Sequence, residues 1–95
     1  MTDIRNNESA SQYETTIDGS TAYVAYDREG DDRIVFTHTV VPDALAGKGL
    51  ASKLVTHALD DARSQNLKVV PQCSYVASFI QKHPEYQDLT TTTPM

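Results

Sequence analysis

Following Pro42, the chain reads Ala46-Gly47-Lys48-Gly49-Leu50-Ala51-Ser52, immediately ahead of a strongly amphipathic stretch. At a strand-to-helix junction the first main-chain N–H groups have no intrahelical partner, and the helix dipole adds positive potential. Glycines let the main chain approach an anion without side-chain collision, so a phosphate or pyrophosphate suits this spacing, with Lys48 as a mobile charge beside it. The same two glycines serve equally well to shape a turn. Two other anion loops are excluded by spelling: a Walker A loop needs GxxxxGK followed by Ser or Thr, and a GxGxxG fingerprint needs glycine where Ser52 stands.

Cys73 lies in VPQCSYVASF, just before a second apolar-periodic stretch. At the N-terminus of a helix its thiol pKa is lowered, which suits a nucleophile or an acid for a departing thiolate; a small buried hydrophobe is the alternative. His38 is the only histidine in an expected core strand, whose neighbour leads toward Cys73. It reads as a partner to Cys73, as a base for an incoming amine, or as a satisfied core histidine. His57 and His83 read as surface residues, and their spacing with Cys73 gives no zinc signature. Tyr75, Phe79 and Tyr86 fit packing first and a substrate box second. Asp31-Asp32 and Asp60-Asp61 read as solvated faces rather than paired catalytic carboxylates.

These residues need elements to position them. Tyr13, Thr15 and Ile17 alternate with polar neighbours and run into Asp18-Gly19, a hairpin dipeptide. Residues 21–27 and 33–41 are two further strands, separated by a polar turn with Gly30, so a three-stranded antiparallel meander is expected. Strict alternation puts Ile34, Phe36, His38 and Val40 on one face of the third strand. Leu50, Ala51, Leu54, Val55, Ala58, Leu59 and Ala62 then recur at helical spacing, with a stop near Gln65-Asn66. Residues 67–70 form a short buried strand, and Tyr75, Val76, Phe79 and Ile80 mark a second helix ending before Pro84. The order β-β-β-α-β-α implies an α/β mixed sheet, an antiparallel meander followed by a parallel β-α-β unit with a right-handed crossover.

Composition narrows the function. Ninety-five residues make one small domain, expected over residues 12–89, with polar flexible tails at 1–11 and 90–95. The net charge of −5 opposes nonspecific attraction to nucleic acid. No apolar run is long enough to span a bilayer, and a single cysteine excludes an internal disulfide and fits a reducing, cytoplasmic setting.

The loop and the residues after it resemble the GNAT acetyltransferases. That family carries Gln/Arg-x-x-Gly-x-Gly/Ala at this junction, and Gly49 and Ala51 match its second half, while Ala46 stands where the family has Gln or Arg. Residues 38–89 are similar to the small single-domain subgroup bearing a cysteine after the last core strand. The resemblance implies acetyl-CoA as cofactor and acetyl transfer to an amine, directly or through Cys73. It further implies that Gly47, Lys48, Gly49, Leu50, Ala51 and Ser52 bind pyrophosphate, and that Thr39, Val40 and Val41 hold pantetheine across from Val69 and Val70. Tyr86 would place a hydroxyl near the thioester sulfur, and Cys73 would serve as nucleophile or acid; from its strand position, and not from the resemblance, His38 is the candidate catalytic group that assists it. A noncatalytic CoA-binding module uses the same loop without turnover. The acceptor site is expected to be shallow, fit for a small or peptide amine, in a monomer or homodimer without metal, membrane or nucleic acid.

Overall fold

A computed structural model describes residues 4–47 and 49–90. Five strands form one mixed sheet in sequence order: β1 (Arg5–Asn7), β2 (Gln12–Ile17), β3 (Ser20–Glu29), β4 (Arg33–Val40) and β5 (Lys68–Pro71). β1 to β4 pair antiparallel, and β4 and β5 pair parallel. Helix α1 (Leu50–Ser64) makes the crossover between them, and α2 (Ser74–Lys82) follows β5. The α/β mixed sheet expected from the sequence is therefore present. No helix among the described residues is long and apolar enough to cross a membrane.

Local chemistry explains the elements. Asp18 and Gly19 both take positive φ, 51° and 83°, the two-residue turn whose twist matches a hairpin. Helix α1 stops where Asn66 takes φ 61° and the Leu67 amide donates to the Ala62 carbonyl at 2.9 Å. The Pro71 nitrogen has no hydrogen to donate, and the Gln72 amide folds back on the Val70 carbonyl at 3.1 Å, so β5 ends after four residues.

One core fills the inner face of the sheet. Tyr13, Ala22, Val24, Tyr26, Ile34, Phe36 and Val69 meet the apolar stripe of α1 and Val76, Phe79 and Ile80 of α2. The outer face, carrying Glu14, Tyr23, Ala25, Asp27 and Val35, is covered by no helix among the described residues.

Two expectations about the ends are corrected. Residues 5–7, read as flexible tail, are the edge strand β1. They lack apolar periodicity, and polar contacts hold them: Arg5 donates to the Glu14 carboxylate at 3.1 and 3.2 Å, Asn7 donates to it at 3.2 Å, and Tyr26 Oη donates to Asn6 Oδ1 at 2.5 Å. Thr90, read as the start of the other tail, bridges Val69 in parallel. The remaining tail positions, 1–3 and 91–95, lie outside the described residues.

Helix α1 is tied down along its C-terminal half. Tyr13 Oη donates to Asp61 Oδ2 at 2.5 Å, with the His57 ring edge-on to the Tyr13 ring at 5.9 Å. Burial, and then the Asp61 carboxylate, push the Tyr13 hydroxyl well above the ordinary tyrosine value. A raised folded-state pKa means that this contribution is complete below the unfolded value of about 10 and is lost as pH rises above it. Tyr13→Phe is therefore expected to lower stability by about 1–2 kcal/mol at pH 7 and to weaken the alkaline fall in stability, both checked by urea unfolding across pH.

Candidate active site

At the head of α1, Gly47 and Gly49 take φ 82° and 71°, where a side chain is strained; a β-carbon on either would meet no atom within 4 Å. Backbone conformation, rather than crowding within the fold, therefore calls for glycine here. Among the described residues, nothing crowds the two glycine α-carbons. The Lys53 amide donates to the Gly49 carbonyl at 3.2 Å and closes the first helical turn, so the amides of Leu50, Ala51 and Ser52 precede any intrahelical acceptor. No side chain caps the helix, and its first turn carries no acidic residue. A groove of about 290 Å³ opens here, walled by Val41, Leu45, Ala46, both glycines, the residues Leu50 to Ser52, and Tyr75. Of the expected pyrophosphate ligands, Lys48 alone lies outside the described residues.

The second feature is a notch between β4 and β5. Their ladder runs from Arg33↔Lys68 to Phe36↔Pro71 and stops, while β4 continues to Val40. The Cys73 amide closes the base of the notch by donating to the Phe36 carbonyl at 2.8 Å. Beyond it, β4 has no strand on that side among the described residues, leaving edge groups for an extended ligand arm.

A bulge then changes which side chains face the notch. Phe36 pairs with Tyr26, but His38 pairs with Ala25, so Thr37 is the extra residue. After it the alternation flips. Thr39 pairs with Val24 on the inner face, whereas His38 and Val40 lie on the outer face with Ala25 and Tyr23. Thr39 Oγ1 sits 3.3 Å from Cys73 Sγ.

Cys73 is the N-cap residue of α2 and is almost fully buried. Burial alone pushes its thiol up; the Thr39 hydroxyl and the amides of Val76, Tyr75 and Thr39 outweigh that and hold it below an ordinary thiol. The Tyr75 and Val76 amides face the sulfur without closing a cap hydrogen bond.

Two expected site residues are placed elsewhere. His38 is exposed on the outer face, so the Cys–His pair is replaced by a Cys–Thr pair; single-strand alternation cannot register a bulge. Tyr86 is corrected as a group near a thioester: its hydroxyl donates to Asp60 Oδ1 in the C-terminal half of α1 at 2.8 Å, and the Arg63 guanidinium lies 5.9 Å over its ring. Ten residues separate Asp60 from Leu50, about 15 Å along the helix. Burial, followed by Asp60, pushes the Tyr86 hydroxyl up to about 12. The tyrosine beside the glycine groove is Tyr75, 40% exposed and two residues beyond Cys73. Its helical spacing with Phe79 signals only a shared face. Thr39→Val is expected to raise the Cys73 thiol pKa, moving the midpoint of the iodoacetamide alkylation-rate profile upward in pH and slowing alkylation at neutrality.

The comparisons agree with this geometry. A family model described as GCN5-related N-acetyl-transferase matches residues 12–89. Protein NATD1 of Homo sapiens is 33% identical over 73 residues, spanning 77% of this chain and 65% of the relative; its Xenopus tropicalis counterpart is 32% identical over 77% and 67%. The chain thus spans about two thirds of the length of these relatives. A GCN5-like N-acetyltransferase candidate from Staphylococcus aureus, solved by NMR, superposes with a TM-score of 0.75 at 28% identity, covering 97% of this chain and 90% of that one. An uncapped, glycine-marked helix head beside a splayed strand pair, on a chain matched in sequence and in fold, has one family reading: the chain belongs to the GCN5-related N-acetyltransferases.

Proposed function

We propose that the protein transfers an acetyl group from acetyl-CoA to an amine and that Cys73 relays it. The observation that carries this reading is the continuity of three features: uncapped amides at residues 50–52, the open β4 edge, and a thiol at the foot of that edge. The amides suit the pyrophosphate, which a chain of net charge −5 would not attract by its overall field. Thr39 and Val41 border the path of the pantetheine arm, and Val40 contributes main chain there. Acetyl-CoA supplies an activated thioester.

In the relay, the Cys73 sulfur attacks the thioester carbonyl carbon. The bond to the CoA sulfur breaks, CoA leaves as its thiolate, and that thiolate takes a proton from solvent. Thr39 Oγ1 donates to the Cys73 thiolate and keeps it available. A neutral amine then attacks the S-acetyl carbon and regenerates the Cys73 thiolate. His38, on the outer face beyond the bulge, receives the amine's proton rather than that of Cys73. A thiol held below its ordinary pKa favours this route over one in which Cys73 must retain a proton for the leaving group. A reducing cytoplasm keeps such a thiol free, and an open outer face suits an exposed small or peptide amine.

CoA at about 100 times its dissociation constant should stabilise the fold by about 2.7 kcal/mol, a rise in Tm of roughly 10–20 °C for a domain of this size. Gly49→Ala is expected to abolish most of that rise. Absence of a shift with the unaltered chain would overturn the assignment. Intact mass after incubation with acetyl-CoA alone should show one acetyl adduct, absent in Cys73→Ala; that variant should also lose roughly 100-fold or more in amine acetylation. Full transfer by Cys73→Ala would establish direct attack by the amine instead. His38→Gln is expected to slow acetylation of the amine while leaving adduct formation on Cys73 unchanged.

A further inference from the structure

An antiparallel sheet with one solvated face ordinarily alternates apolar side chains inward with polar ones outward. Beside the notch this sheet departs from that pattern. On its outer face Tyr23 stands opposite Val40, Ala25 opposite His38, and Val35 beside Val70. Val40 is 39% exposed, and Val35, although buried, is not part of the core cluster on the inner face. Tyr23 also differs from the other four tyrosines. Tyr13, Tyr26 and Tyr86 each donate a hydrogen bond from the hydroxyl and Tyr75 stacks on Phe79, whereas Tyr23 has neither a hydroxyl partner nor a ring contact among the described residues. The packing and hydrogen bonding of the fold leave this apolar stripe without an internal purpose.

The stripe surrounds His38, which the proposed mechanism makes the acceptor of the amine's proton. A gap between two strands is reached from either face of their sheet; α1 and α2 cover the inner face, and no helix among the described residues covers the outer one. An amine arriving from the outer side therefore passes over Tyr23, Ala25 and Val40. Charge on this face gives a polycation little hold. Glu14 is engaged by Arg5, Asn7 and Gln12, and Glu29 by Arg33; Asp27 alone lacks such a partner among the described residues, and it pairs with Val35 at the far end of the stripe from Val40. We infer that the acceptor is a primary amine on a short apolar or aromatic body, which lies across Tyr23, Ala25 and Val40 while its nitrogen reaches the notch beside His38. The inference rests on the amine-acetylation reading above and names the class of its acceptor. Tyr23 and Val40 are cross-strand partners with β-carbons about 5 Å apart, a platform of the width of one ring.

The test is steady-state acetylation by the full chain, at saturating acetyl-CoA, of 2-phenylethylamine, ethanolamine, spermidine and Nα-acetyl-lysine amide. The kcat/KM for 2-phenylethylamine should exceed each of the others by about tenfold or more, the return expected from removing one ring face from water. Tyr23→Ser should raise KM for 2-phenylethylamine about fivefold with kcat little changed, leave ethanolamine unaffected, and be rescued by Tyr23→Phe. Ala25→Asp should lower 2-phenylethylamine and raise spermidine, since it sets a carboxylate in the stripe. Both side chains lie outside the core cluster, and the Cys73 adduct, formed without any amine, reports that each variant keeps its fold and cofactor site. Equal rates for 2-phenylethylamine and ethanolamine, or preference for spermidine or the lysine amide, overturn the inference, as does an adduct that none of the four amines discharges. A dimer of the unaltered chain that Tyr23→Ser dissociates in sedimentation would assign the face to a second copy and overturn it too. Absence of both adduct and transfer overturns the proposed function itself.

Discussion

A parallel ladder that stops early governs the architecture of this site. β4 has eight residues and β5 four, and the Cys73 amide makes the last connection between their paths by donating to the Phe36 carbonyl. Had β5 continued, the β4 edge would be consumed by strand pairing and Cys73 would lie farther along a strand. Pro71 withholds a donor and Gln72 bends onto Val70, so the chain leaves the sheet and starts α2 at the end of the notch. Main-chain hydrogen bonding thus decides both where a ligand arm can lie and where the thiol waits for it.

The bulge at Thr37 adds a second decision. One extra residue in β4 exchanges the faces of everything beyond it, bringing Thr39 to the sulfur and sending His38 outward. A hydroxyl beside a buried thiol offers a hydrogen bond to the thiolate without adding a titrating group of its own. The histidine, standing on the other face, remains in water.

Stability and binding are concentrated at opposite ends of α1. Toward its C-terminus, Asp61 accepts from Tyr13 and Gln65, Asp60 accepts from Tyr86, and Arg63 donates to Asp88 and to the Glu85 carbonyl. These contacts hold the helix against β2 and against the segment Pro84–Leu89. Among the described residues, no side chain caps its N-terminus. The amides of residues 50–52 are left without a side-chain partner among those residues, a cost that the tethered end and the buried stripe between Leu50 and Ala62 offset.

Much of this was legible in the residues alone. Alternation in residues 13–17, the Asp18-Gly19 turn, the apolar stripe of α1 and its stop at Asn66 depend on local sterics and periodicity, which a sequence states directly. The glycine-marked helix head was legible for the same reason: positive φ is a local demand. Four other outcomes belonged to the tertiary structure. β1 is recruited by the Glu14 carboxylate and Tyr26 from residues without apolar pattern; the faces of His38 and Thr39 depend on a register against β3; Tyr86 is claimed by a carboxylate 26 residues away; and Tyr75 is left at the groove because Phe79 fills the core instead. Each turns on a partner distant in sequence, and periodicity carries no information about which distant atom a side chain will meet.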